Sequence, residues 1–382
     1  MTRESKHIAI ATVAFVDEKT LEVGKGGLQR WCRDIADLAV AKGWRVTVYQ
    51  KSNLPIEAVV KEGLRIQGIP APARFWGNYV YGRAFSKRVA KSIPVIYASQ
   101  ELMLGMPSPR CVAINHGIWW DGDFVQWKRW VNKLVQQFTV ERARGVICVD
   151  TNYINWCHAE LPRRSEWRHK LRYVPNYADE RVFGDGVKPT NVNPHRPIRI
   201  LYPRRLMGRD LETDGRGAGL FLEALAELHR RGVHFEVEFA GPGPLRNQIQ
   251  RFAAQSGFAH RVFIAEYTLD DMPSAYRAAD IVAIPSTAHE GTSLAAVEAM
   301  TAGKPTVVTH IGGLPNLIIE GINGFICDLS VESLCRALLA AAERRDDRAW
   351  SSQLATSTAR AFGKARWERA IWSQLEGLLE LK

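Results

Sequence analysis

The stretch Pro285–Lys304, PSTAHEGTSLAAVEAMTAGK, constrains the fold of this chain more than any other. The apolar run Ile281 to Ile284 stands just before it and reads as a buried parallel strand that Pro285 ends. Glu290 and Gly291 fall in the following loop. Thr292 or Ser293 can cap a helix from about Leu294 to Thr301. A strand-end loop that feeds a helix N-terminus is an anion site, because free backbone N–H groups and the helix dipole both favour a phosphate. Glu290 precedes the helix and Glu298 lies about one and a half turns inside it. One carboxylate can reach a sugar on one side of a phosphate, the other a ribose beyond it. Spacing alone equally permits a surface helix with two solvated glutamates.

Two glutamates eight positions apart, in a Glu-Gly loop followed by EAM and AGKP, resemble the signature of the GT-B glycosyltransferases of family 4. The continuation THIGGLPNLIIEGINGFI, residues 309 to 326, is similar to that family's Gly-Gly turn and the Asn-Gly turn before its last strand. The resemblance implies that Glu290 contacts donor sugar hydroxyls and that Glu298 binds the ribose. The amides of Thr292, Ser293 and Leu294, at that helix start, can meet the donor phosphate. The family loop has Phe-Gly where this chain has Thr292-Ser293, so the shape of the sugar pocket is its own.

A length of 382 residues suggests two domains, each with a core. Composition, 46% hydrophobic and 24% charged, excludes a long disordered region. The six cysteines form no Cys-x-x-Cys pair, which argues against a zinc ribbon or a redox motif and fits a reduced cytoplasmic chain. No apolar run reaches 18 residues, and the N-terminus reads as a first strand, not a signal peptide. The formal charge of +11 favours anionic partners: nucleic acid, acidic lipid or phosphorylated substrates.

Along the chain, apolar runs at His7–Val16, Arg45–Tyr49, Pro94–Ala98, Arg110–Asn115 and Gly145–Val149 read as strands of one parallel sheet. Gly24, Gly26 and Gly27 precede a helix from Leu28 to about Lys42. Their spacing is not the dinucleotide fingerprint, and a plain tight turn is the alternative. The family resemblance puts Gly26 and Gly27 against the donor phosphate. His116 follows the fourth strand, at the carboxyl end where open α/β sheets bind ligands. A structural histidine is the competing reading. The family carries a histidine there in contact with the donor sugar, and His116 matches it.

Trp119, Trp120 and Asp121 come next, as weak candidates for the acceptor side. From Phe124 to Arg142, Trp127, Trp130, Val131, Leu134 and Phe138 share one helical face, expected to turn toward the core.

YVPNYADERVF, residues 173 to 183, resembles the family's hinge, and residues 184 to 197 read as a linker. Strands Ile198–Tyr202, His234–Ala240 and Val262–Ile264 then alternate with helices toward the opening stretch. In the loop after Tyr202, Arg205 and Arg216 match the family's two diphosphate cations, with Arg209 as a substitute. The last helix, about Gly363 to Leu381, is expected by resemblance to cross back to the first domain.

The reading is therefore α/β, the GT-B fold, with two Rossmann-like parallel-sheet domains facing a cleft. Residues 1–190 would bind acceptor, 191–361 the donor, and 362–382 would form the crossing helix. The resemblance implies a retaining transfer of sugar from a nucleotide-sugar donor to a hydroxyl of a glycan or lipid-linked acceptor. His116 and Glu290 would be the catalytic residues. No cofactor is expected, and no metal, because no Asp-x-Asp arrangement stands at the donor loop. The protein would be cytoplasmic, with a possible anionic membrane surface as a partner. Basic-aromatic segments, 74 to 91 and 119 to 133, motivate that surface. No binding motif supports nucleic acid as a partner. A sugar-nucleotide epimerase on the same fold and a non-catalytic nucleotide-sugar-binding protein are the alternatives.

Overall fold

The computed structural model describes residues 6–24, 26–73, 76–118, 126–162, 165–184, 196–288 and 290–381. They divide into two compact units. One holds the described residues up to His116, those from 126 to Val174, and those from Glu368 onward; the other holds 117–118 and the described residues from Pro175 to Trp367.

The elements of the first unit, in chain order, are β1 (His7–Thr12), α1 (Gly27–Ala41), β2 (Arg45–Ser52), β3 (Glu57–Lys61), β4 (Leu64–Pro70), α2 (Trp76–Arg88), β5 (Val95–Tyr97), β6 (Cys111–Asn115), α3 (Gln126–Arg142), β7 (Gly145–Cys148), α4 (Thr151–Glu160), α5 (Ser165–Arg168) and β8 (Leu171–Tyr173). Their strands lie in the order β3-β4-β2-β1-β5-β6-β7-β8.

Three strands here have no counterpart in the sequence reading: β3, β4 and β8, the last pairing parallel with β7. β4 joins the sheet parallel to β2, and β3 pairs antiparallel with β4. The sheet is thus not wholly parallel. β3 is an edge strand with mostly exposed residues, so it lacks the apolar run that marks a strand buried on both faces.

The helix over 126–142 exists, but its orientation is opposite to expectation. Trp127 (61%), Trp130 (63%) and Leu134 (44%) are exposed, while Asn132, Gln136 and Thr139 are buried with Val135 and Val140. Hydrogen bonding explains the inversion. Gln136 Oε1 accepts from Gln100 Nε2 at 2.7 Å and from the buried Tyr153 hydroxyl at 2.9 Å, and Thr139 Oγ1 donates to the Val135 carbonyl. Satisfied polar groups are tolerated in a core; unsatisfied ones cost about 1–3 kcal/mol each.

The second unit contains α6 (Glu180–Phe183), β9 (Ile198–Tyr202), α7 (Ala218–Arg230), β10 (Phe235–Ala240), α8 (Arg246–Gln255), β11 (Val262–Ala265), α9 (Met272–Ala278), β12 (Ile281–Ile284), α10 (Leu294–Thr301), β13 (Thr306–Thr309), β14 (Phe325–Cys327), α11 (Val331–Glu343), α12 (Arg348–Phe362) and the start of α13 (Lys364–Leu379). The sheet order is β11-β10-β9-β12-β13-β14, parallel throughout.

The run Ile281–Ile284 is apolar at every position because both faces of β12 are covered. Ile281 and Ala283 join one core layer with α7, α8 and α11; Val282 and Ile284 join the other with α9, α10 and α12. From Glu368 on, α13 belongs to the first unit, where Arg110 Nη2 donates to the Leu379 carbonyl at 2.6 Å. The expected linker, 184–197, lies almost wholly outside the described residues.

Candidate active site

In the second unit, β9 and β12 are adjacent and parallel, so their carboxyl ends open at one edge of the sheet. The loop after β12 leads into α10, and the loop after β9 leads into α7. Backbone bonds hold these loops together. Thr287 N and Ala288 N both donate to the Gly215 carbonyl at 3.1 Å. Gly217 has φ +80, and a Cβ there would lie 1.7 Å from the Pro285 carbonyl oxygen. Only glycine meets both conditions.

Glu290 is the centre of the polar cluster at this edge. Its Oε2 accepts from Arg204 Nη2, from Arg216 Nη1 at 2.7 Å and from the Ser286 hydroxyl at 3.2 Å. Burial works to raise the Glu290 carboxyl, but Arg204 and Arg216 outweigh it and hold it below the usual carboxylate range. Burial also opposes the charge on Arg204, and Glu290 reverses the effect, raising it. Arg216 is pulled below the usual arginine value by burial, then by the neighbouring Arg204 and, after Glu290's opposing pull, by Arg205. Two guanidinium groups thus act on one carboxylate, with Arg205 as a further positive charge acting on Arg216. The nearby Asp214 accepts from the backbone amides of Arg216 and Ala218.

The structure adds one cation to this cluster. Arg205, the sequence candidate, is exposed; its neighbour Arg204 is buried, joined to Glu290 and, through Nη1, to Ser293 Oγ at 3.1 Å. The signal was present in the alternation. Tyr202, Arg204 and Leu206 are buried, while Arg205 and Met207 are exposed, so the phase of Tyr202 and Leu206 already points Arg204 inward. Arg209 is exposed, and its carbonyl accepts from Gln248.

Ser293 occupies the cap position of α10 without a side-chain cap bond; its hydroxyl accepts from Arg204 instead. Thr292 and Ser293 are buried, and Leu294 starts the helix. The Thr292 carbonyl accepts from the Asn176 side-chain amide at 2.7 Å. Asn176 comes from the expected hinge segment, and its tie to the loop after β12 is not legible in the sequence. Glu298 lies inside α10, 6% exposed, and its Oε2 accepts from the buried Tyr276 hydroxyl at 2.9 Å. The Gly-Gly turn has a structural task. Gly313 N donates to the Glu290 carbonyl at 2.8 Å, and Gly312, at φ +57, brings its Cα so close that a Cβ would lie 2.0 Å from that same oxygen.

The remaining candidates lie in the first unit. Gly26 caps α1 at φ −81, a conformation any residue adopts, and the atoms nearest a hypothetical Cβ belong to the flexible Gln29 side chain. Gly27 begins the helix. His116 follows β6 and meets Trp31 edge-on at 5.4 Å. Burial pulls its imidazole down to about 4, against a hydrogen bond to the Ala98 backbone. Its Nε2 is buried without a partner among the described residues, so the ring is neutral near pH 7 with Nδ1 as the donor to Ala98. Trp119, Trp120 and Asp121 lie outside the described residues.

Comparison with solved structures settles the architecture. Sucrose-phosphate synthase from Thermosynechococcus elongatus superposes with a TM-score of 0.77 over 98% of this chain and 100% of that one, at 18% identity. This chain has the GT-B fold. A second GT-B neighbour, Anabaena Alr3699/HepE in complex with UDP, gives a TM-score of 0.72 over 97% of this chain and 100% of that one, at 17% identity. Residues 206–344, within the second unit, match the family described as Glycosyl transferases group 1. In sequence, the chain is 30% identical to the amylovoran biosynthesis glycosyltransferase AmsK of Erwinia amylovora over 44% of this chain and 42% of that protein. Alignments to the first curated relatives span only 30–50% of their length.

Proposed function

We propose that this GT-B protein is a retaining glycosyltransferase. It moves a sugar from a nucleotide-diphosphate sugar to a hydroxyl of a glycan or lipid-linked acceptor, in the synthesis of cell-surface polysaccharide or glycolipid. The observation that carries the reading is the excess of guanidinium over carboxylate where the loops after β9 and β12 meet, beside the N-terminus of α10. Such a site favours an anion, and a departing nucleoside diphosphate is the anion that sugar transfer generates. The match to Glycosyl transferases group 1 over this same unit and the UDP in the HepE neighbour support it.

In this reading Arg205 and Arg216 meet the diphosphate, together with the first-turn amides of α10. Each preorganised donor aimed at the developing charge contributes about 3 kcal/mol to the rate. Arg204 holds Glu290 in place, leaving Glu290 Oε1 for a sugar hydroxyl, and Glu298 takes the ribose. The departing phosphate accepts the acceptor's proton, and no metal or cofactor enters. His116 meets the donor sugar as a neutral acceptor at Nε2. The protein works in the cytoplasm, at the face of the membrane where a lipid-linked acceptor would be presented.

A thermal-shift screen of UDP-, GDP- and dTDP-sugars tests the donor. A bound donor at about 100 times its dissociation constant stabilises by about 2.7 kcal/mol. No shift with any nucleotide sugar would defeat the proposal. In a transfer assay, Glu290→Gln is expected to lower turnover more than nucleotide affinity.

A further inference from the structure

We infer that the outward face of α3 docks this protein on an anionic lipid bilayer. The inference rests on the lipid-linked form of the acceptor reading for its biological sense, but its physical basis is separate. α3 presents Trp127, Trp130 and Leu134 outward in one stripe, at spacings of three and four residues. The stripe cannot turn inward. Rotating α3 would expose the buried bonds from Gln136 to Gln100 and Tyr153, and would bury no polar partner in exchange. Two exposed tryptophans and a leucine aligned on one helix exceed the single scattered apolar residues of an ordinary surface.

α2 repeats the arrangement, with Trp76 (54%) and Tyr79 (53%) exposed, and α2 and α3 both pack on the 3-10 turn Gln100–Met103. The charge on these helices selects the occupant. α2 contains Arg83, Lys87 and Arg88 and no acidic residue. α3 contains Lys128, Arg129, Lys133 and Arg142 against the single Glu141. Lys133 is paired with Glu160 of α4 at 3.1 Å, and Lys128 lies over the Trp127 ring. A second copy of this chain would bring like charges together. An anionic bilayer meets the cations with headgroup phosphates and the indole rings with its interfacial zone, where tryptophan and tyrosine partition best. Nucleic acid would satisfy the cations but leave Leu134 and its neighbours without an apolar partner. Among the described residues no helix is long and apolar enough to cross a membrane, so the attachment is to the surface.

Sedimentation of the full chain tests this with vesicles of phosphatidylcholine alone and of phosphatidylcholine with phosphatidylglycerol. Binding is expected only to the second and is expected to weaken sharply with salt. Lys128→Glu with Arg129→Glu should weaken it by at least about fivefold per base. Trp127→Ser with Trp130→Ser should abolish it while the far-UV spectrum and the nucleotide-induced thermal shift stay unchanged. Nucleotide binding without vesicle binding overturns the docking surface and leaves the transferase reading standing; the converse overturns the transferase reading alone. Lipid-independent self-association that the tryptophan variants remove would assign the face to a second copy and overturn the inference. Equal binding to neutral vesicles would also overturn it.

Discussion

Arg204 and Glu290 form a buried ion pair across the two strand-end loops of the second unit, with Arg204 only 6% exposed in its side chain and Glu290 10%. Arg204→Ala leaves Glu290 with Arg216 as its remaining guanidinium partner and is expected to lose about 1–3 kcal/mol of stability, read as a lower urea midpoint at unchanged slope. Arg205→Ala, one residue away and exposed, is expected to stay within about 0.5 kcal/mol and to weaken nucleoside diphosphate binding instead. Equal destabilisation by the two variants would contradict the assignment of Arg204 as the buried partner.

Gly312 and Gly184 make a matched pair for backbone effects. Gly312→Ala forces a Cβ onto the Glu290 carbonyl at a positive φ, so a loss of more than about 1 kcal/mol is expected, by the cost of an incompatible glycine replacement. Gly184 has a right-handed helical backbone, with φ −68, and no atom of the described residues lies within 4 Å of a Cβ there. Alanine there should be neutral or stabilising by up to about 1 kcal/mol. Thermal melts of the two variants decide the comparison.

Glu298 and Tyr276 test the proposed ribose contact. Glu298→Ala is expected to weaken nucleoside diphosphate binding by roughly 1.5–3 kcal/mol, the range for a charged hydrogen bond. Tyr276→Phe removes the hydroxyl that bonds the carboxylate and the Ala295 carbonyl, and about 1 kcal/mol or less is expected. Calorimetric titration separates them. Unchanged affinity in a folded Glu298→Ala protein would remove Glu298 from the site.

His116 makes stability depend on pH in a defined window. Its folded value, about 4, lies below the ordinary 6.5, so protonation favours the unfolded chain. The penalty is absent above pH 6.5, grows as pH falls toward 4, and reaches at most about 3 kcal/mol. Glu290 acts lower down: its carboxyl is depressed from 4.5, so its contribution is present above 4.5 and is lost as pH falls through its folded value. Urea unfolding at pH 7.5 and pH 5 should show a smaller loss in His116→Gln than in the parent. An identical loss would place the titration elsewhere.

Much of the second unit was legible because its signals are local. An apolar run covered on both faces, a glycine turn and a helix start each lie within a few residues, and β12 and α10 have the expected limits, Ile281–Ile284 and Leu294–Thr301. The pairing of Glu290 with Glu298 on one loop and helix was readable for the same reason.

What only the tertiary structure decided is which polar groups are buried. Local pattern assigns burial to apolar stripes, and α3 defeats it: Gln100, Gln136 and Tyr153 come from three separate segments and satisfy one another only after the chain has folded. Arg204 is inside and Arg205 outside because Glu290 and Ser293, more than 80 positions away, supply the partners for one of them. The antiparallel β3 escaped notice because an edge strand with exposed residues carries no hydrophobic signature. Hydrogen-bond satisfaction is a property of pairs distant in sequence; hydrophobic period is a property of neighbours. The second can be read from the chain itself, and the first requires the fold.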